Sequence, residues 1–260
     1  MSNKHSIHCF LALALLVSLA TTLSAQDFYL PISTKSEVAK TTYYEAMQSA
    51  ANAQLPKYWE QMDKALQADS NFFMGYVHSS MSYASSKKYD EVTKLVHKAL
   101  RIDPAGLTKA ELILRKLMEQ WQQDPKSSSA KVMEELTVAY PQTPQAFEWA
   151  SLMAIFLDDN KPAGLSYSQK LVALRPDYAP TYNTLGYLYM EMGQMEQAKA
   201  AFENQIRLAP KEANASDSMG EYYLTVKDYA KSAEYYDKAV ALGLEGSKEG
   251  AKKARESMKQ

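Results

Sequence analysis

Apolar residues along this chain recur at spacings of three and four, not two. In residues 196–208 the stripe is Ala198, Ala201, Phe202, Gln205 and Ile206; in 228–242 it is Ala233, Tyr236, Ala239 and Val240. That spacing puts each set on one face of a helix. No run of alternating β-branched residues occurs, so the pattern predicts no sheet. The stripes themselves repeat. From Tyr182 the chain reads Tyr182, Leu185, Gly186, Tyr189, Gly193, Ala198, Phe202, Leu208 and Pro210. At 34 residues further on, Met219, Gly220, Tyr223, Tyr236 and Leu242 take the corresponding places. A fixed period of this size means stacked helical hairpins, each too small to bury its apolar face alone.

Proline marks the boundaries. Pro104, Pro141, Pro144, Pro176, Pro180 and Pro210 fall between hairpins, and Pro56, Pro125 and Pro162 fall between the two helices of one hairpin. Proline breaks a helix interior but suits a first turn or the residues just past an end. Going backward from 179 the period continues with drift: Tyr76, Tyr83, Tyr89, Ala99, Ile102 and Pro104 hold matching places in 73–106, and 39–72 matches more weakly. Residues 107–143 and 144–178 read as degraded units with small insertions. The expected architecture is all-α: a right-handed α-solenoid of about six helix-turn-helix units (39–72, 73–106, 107–143, 144–178, 179–212, 213–246). A lead segment, 26–38, precedes it. Residues 247–260 form a capping helix, with Ala251, Ala254 and Met258 on one side and Lys248, Lys252, Lys253 and Arg255 mostly on another.

The repeated residues resemble the tetratricopeptide repeat family, whose signature places an aromatic, Leu-Gly and Tyr on the first helix and Ala, Phe, Ala and Pro on and after the second. Residues 179–212 match well through Tyr182, Leu185, Gly186, Tyr189, Ala198, Phe202 and Pro210. Gln205 departs where a small residue is usual. In 213–246, Ser232 stands in place of Ala and Leu244 in place of Pro. The resemblance covers roughly 39–246. It implies that first helices line a concave groove in which protein partners bind, and that signature residues such as Gly186, Phe202 and Tyr236 are structural.

Composition narrows the function. The chain has 260 residues, 46% hydrophobic and 23% charged, with 18 Tyr and 13 Met, and a formal net charge of −1. No bulk basic surface points to nucleic acid or anionic lipid. Residues 1–25 read as a signal peptide: Lys4, then an apolar run from Cys9 to Ala20, then small residues ending at Ala25. The apolar run is too short to span a bilayer, so the mature chain is expected periplasmic or secreted, with no membrane insertion. Cleavage removes Lys4 and no acid, leaving 28 Lys and Arg against 30 Asp and Glu. It also removes Cys9, the only cysteine, so no disulfide or thiolate metal site is expected.

Enzyme signatures are lacking: there is no His-Glu-x-x-His, no Gly-x-Ser-x-Gly and no Gly-Lys-Ser/Thr loop. His78 and His97 lie on different expected helices, and acid pairs such as Asp158-Asp159 read as exposed charges. No catalytic residue, cofactor or metal is expected. Projecting the period onto the groove gives a Met and aromatic lining at its start and middle (Met81, Trp149, Met153, Phe156, Tyr187, Met190) and polar or acidic residues at its end (Asn183, Asp217, Glu221). Met and aromatic side chains suit a surface that anchors partner side chains; equally, degraded repeats could bury them in their own core. The expected function is a non-catalytic protein-interaction scaffold holding a protein or peptide segment. The alternatives are an enzyme or subunit acting on envelope polymers and a carrier of small apolar ligands, the latter to be favoured by a closed pocket.

Overall fold

The computed structural model describes residues 28–259; the expected signal peptide lies outside them. The described residues form thirteen α-helices and no strand. In order these are α1 Glu37–Ala51, α2 Leu55–Ala68, α3 Phe73–Ser85, α4 Tyr89–Leu100, α5 Lys109–Gln123, α6 Ala130–Ala139, α7 Pro144–Phe156, α8 Lys161–Leu174, α9 Ala179–Glu191, α10 Met195–Leu208, α11 Ala213–Thr225, α12 Tyr229–Ala241 and α13 Ser247–Ser257. A short 3₁₀ turn, Pro104–Gly106, precedes α5. Helices pack as antiparallel neighbours in sequence order, and α13 closes the array against α12 and α11.

Local chemistry accounts for the ends. Pro56, Pro144, Pro162 and Pro180 occupy first-turn positions, where the missing N–H is no loss. Thr108 and Glu111 form a reciprocal capping box on α5. Asp158, expected exposed, is half-buried and reaches back to the start of α6, accepting from Ser129 N–H at 3.0 Å and Ser129 Oγ at 2.8 Å. The tight turns inside hairpins reuse one backbone device. Ala53, Lys87, Asp159, Gly193 and Lys227 all adopt positive φ, between 48° and 72°; consecutive members of 53/87, 159/193 and 193/227 are one period apart.

Signature residues behave as packing elements. A Cβ built on Gly186 would stand 2.3 Å from the Phe202 ring, so only glycine lets α9 and α10 approach this closely. Gly220 and Gly250 admit the Tyr236 ring in the same way, the first at its inner end and the second at its outer end. The two polar departures, Gln205 and Ser232, are hydrogen-bonded. Buried Gln205 accepts from Asn183 Nδ2 at 3.2 Å, and buried Ser232 donates to the Gly220 carbonyl at 2.9 Å.

The core divides in two. One cluster runs from Leu30 to Met153; the other gathers Ala198, Phe202, Met219, Tyr222 and Tyr223. In the first cluster the array curls tightly enough for α1 to reach α7, with Gln145 Nε2 donating to Tyr43 Oη at 3.3 Å across 102 positions. His78 on α3 lies 5.3 Å, ring to ring, from Trp149 on α7. The inward faces of the first four hairpins therefore fill one another instead of lining an open channel.

Candidate functional site

The lead segment completes this closure. Residues 30–36 form no helix or strand and touch several hairpins. Leu30 N–H donates to Gln145 Oε1 at 2.8 Å. Ser33 donates through both N–H and Oγ to Glu111 Oε1, at 3.2 and 3.0 Å. Thr108 Oγ1 donates to the Pro31 carbonyl, and Thr34 Oγ1 to Asp69. Tyr29 stacks on Tyr44 at 4.5 Å, and Phe28 packs against Tyr178 at 4.8 Å. Side chains on α1, α5 and α7 thus hold one segment of the same chain. The sequence offered no signal for this, because the segment carries no periodic stripe and binds through its backbone and short hydroxyls.

Closure corrects part of the expected groove. Met81, Trp149 and Met153 are 3%, 2% and 3% exposed, built into the first core, and cannot anchor a partner from an open surface. The reason is curvature, which the repeat period does not encode. Phe156 is 53% exposed at the C-terminal end of α7.

The later hairpins differ. Asn183 and Tyr187 on α9 face Ser218 on α11: Asn183 Nδ2 donates to Ser218 Oγ at 2.6 Å, and Tyr187 Oη lies 3.3 Å from the same atom. Asp217 and Glu221 sit one turn apart on α11 and accept from the hydroxyls of Ser247 and Tyr236. Tyr187 is edge-on to Phe202 at 5.2 Å, and Met190 packs partly buried on the second core. Burial, with the Glu221 charge adding to it, pushes the Asp217 carboxyl above its ordinary range. Neither acid has an ion-pair partner among the described residues, whereas most of the acids that do are paired with a lysine or arginine close by in sequence. Asn183, Asp217 and Glu221, expected at the groove's end, lie with Tyr187, expected in its aromatic stretch, on the neighbouring first helices α9 and α11.

Beside the first core, where α9 and the lead segment meet it, lies a partly open cavity of about 240 Å³. The lead segment (Phe28, Tyr29), α1 (Met47), α3 (His78), α7 (Glu148, Trp149, Leu152), α8 (Leu171), Tyr178 and α9 (Thr181, Asn183) line it. Trp149, expected on an open groove, and Asn183 both belong to this wall. Burial pushes the Glu148 carboxyl up to about 7, although Tyr178 Oη donates to it at 2.7 Å. Burial holds His78 down to about 3, so the ring is neutral, with Nδ1 2.9 Å from Tyr58 Oη. Among the described residues no group of three or more His, Cys, Asp or Glu could hold a metal ion, and no helix is long and apolar enough to cross a membrane.

Residues 179–212, which form α9 and α10, match the family model described as tetratricopeptide repeat. The chain carries a tetratricopeptide repeat. Its all-α repeat architecture is also that of a thermophilic tetratricopeptide repeat protein from Thermus thermophilus, with a TM-score of 0.51 and 16% identity over 72% of this chain and 100% of that one. At this identity the likeness speaks for the fold alone. YrrB, a tetratricopeptide repeat protein with an unusual peptide-binding site, superposes with a TM-score of 0.40 at 19% identity, covering 84% of this chain and 92% of that one. So loose a match supports no argument. In sequence, the uncharacterised protein ycf37 of Pyropia yezoensis is 36% identical over 66 residues, 25% of this chain and 37% of its own length. The chain thus spans little more than a third of that curated relative.

Proposed function

We propose that this tetratricopeptide repeat protein is a non-catalytic interaction scaffold outside the cytoplasm, and that it binds a protein segment on the inward face of its last two full hairpins. One observation carries the reading. Asn183, Tyr187, Asp217 and Glu221 converge there from α9 and α11, and the two acids have no cationic partner among the described residues. A partly buried carboxylate pair without a cation favours an incoming lysine or arginine, and Tyr187 and Met190 offer apolar surface beside it. The ligand is then a basic segment with an apolar neighbour. The extracytoplasmic setting rests on the charge, apolar run and small-residue exit of residues 1–25. An acid-base reading of Asp217 and Glu221 is disfavoured, since each already accepts from a protein hydroxyl.

The test is selection from a random peptide library displayed on phage, against the protein produced from the full chain. Enrichment of peptides with Lys or Arg next to an apolar residue, lost in Asp217→Asn/Glu221→Gln, is the expected result. Enrichment that survives the double variant, or peptides without basic residues, would remove this face from consideration.

A further inference from the structure

The cavity beside the first core is walled by aromatic rings. Phe28 lies 5.1 Å from Tyr29 and 4.8 Å from Tyr178, and His78 lies 5.3 Å from Trp149. All five line the same space, and Glu148 is the only acid among its lining residues. No lysine or arginine lines it. Arg175 stays at the edge, over the Phe28 ring at 5.5 Å and ion-paired with Asp177.

We propose that this cavity binds a small organic ammonium compound. Aromatic faces attract a cation through their quadrupoles, most strongly where water is excluded. The Glu148 carboxylate supplies the countercharge. The volume admits a small molecule and excludes a helix. Anions are disfavoured because the wall presents one acid and no base. This site shares Asn183 with the α9–α11 face but lacks Tyr187, Asp217 and Glu221, and its test does not depend on that reading.

Choline is the probe, and its uncharged isostere 3,3-dimethylbutan-1-ol is the control, each titrated calorimetrically into protein produced from the full chain. Saturable choline binding, with the isostere at least about tenfold weaker, is expected. Glu148→Gln should weaken choline severalfold. If Glu148→Gln fails to fold, the choline-isostere comparison on unaltered protein decides by itself. Phosphatidylcholine vesicles form a further arm: co-sedimentation that free choline competes away would place the ammonium group on a lipid and still support the cavity. No saturable binding of choline, or equal binding of the isostere, would overturn the proposal.

Discussion

Gly186 and Glu148 show how single residues set what the array can do. The missing side chain at Gly186 is filled by Phe202, which is fully buried. Gly186→Ala should therefore force that ring against its neighbours and cost about 2–3 kcal/mol, read as a lowered melting temperature by circular dichroism. An unchanged melting point would mean the ring has room to move. Glu148 makes a pH prediction. Its folded-state pKa, raised to about 7 by burial, lies above the ordinary value of 4.5. The protonated form is favoured by folding, so its stabilising contribution is complete below about 4.5 and is lost as pH rises through 7. The groups facing it are Tyr178, Tyr29 and neutral His78, with Arg175 tied to Asp177 at the edge. Glu148→Gln should hence gain on the unaltered protein by about 1–3 kcal/mol between pH 5 and pH 8, measured by urea unfolding at both values. His78 acts in the opposite sense: its depressed pKa makes it a source of instability as pH falls below its ordinary 6.5. Comparing variant with unaltered protein at each pH cancels that contribution.

Among elements, the lead segment and the intra-hairpin turns carry the main lessons. Glu111 is fully buried and accepts from Ser33 N–H, Ser33 Oγ and Thr108 N–H. Glu111→Ala removes a helix cap and the main anchor of the lead segment together, at a cost of about 2–4 kcal/mol. Limited proteolysis should then cut within 28–36, where the unaltered protein resists. Equal resistance would show that Leu30 and the tyrosine stack suffice. In the turns, Lys87 holds φ of 57° where the equivalent Gly193 holds 72°. A side chain there costs about 1–2 kcal/mol, partly offset by the flexibility glycine adds to the unfolded chain, so Lys87→Gly should stabilise by up to about 1 kcal/mol. The helices, their prolines and the closing helix were legible because each is encoded locally, by stripes, caps and a 34-residue period. The placement of Asn183, Asp217 and Glu221 on first helices was legible for the same reason, since they occupy fixed places in well-kept repeats. Met81, Trp149 and Met153 were not legible as core. Their burial depends on α1 meeting α7 across 102 positions, which follows from curvature and from the inserted residues of the third and fourth hairpins. The lead segment escaped notice because hydroxyl-to-carboxylate contacts leave no period.

For the whole molecule, the division into two cores decides how the array opens. Stacked repeats are stabilised by each unit and its nearest neighbours, and such arrays open in pieces. Here the first piece has an additional constraint: α1, α3, α5 and α7 share one core, with the lead segment tied across it. The α9–α12 hairpins have neighbour contacts and a smaller core, closed by α13 through Tyr236 between Gly220 and Gly250. Native-state hydrogen exchange should therefore resolve two units, with α10–α13 opening at a free energy about 1–3 kcal/mol below that of α1–α7. Glu111→Ala should lower protection in α1–α7 and leave α10–α13 unchanged, because its partners all lie in the first unit. Gly186→Ala should do the reverse, since Phe202 belongs to the second core. A single opening free energy for every helix, moved equally by both variants, would mean that α8 and α9 transmit stability across the seam. The wall of the cavity would then belong to one rigid body and not to two bodies able to part around a ligand.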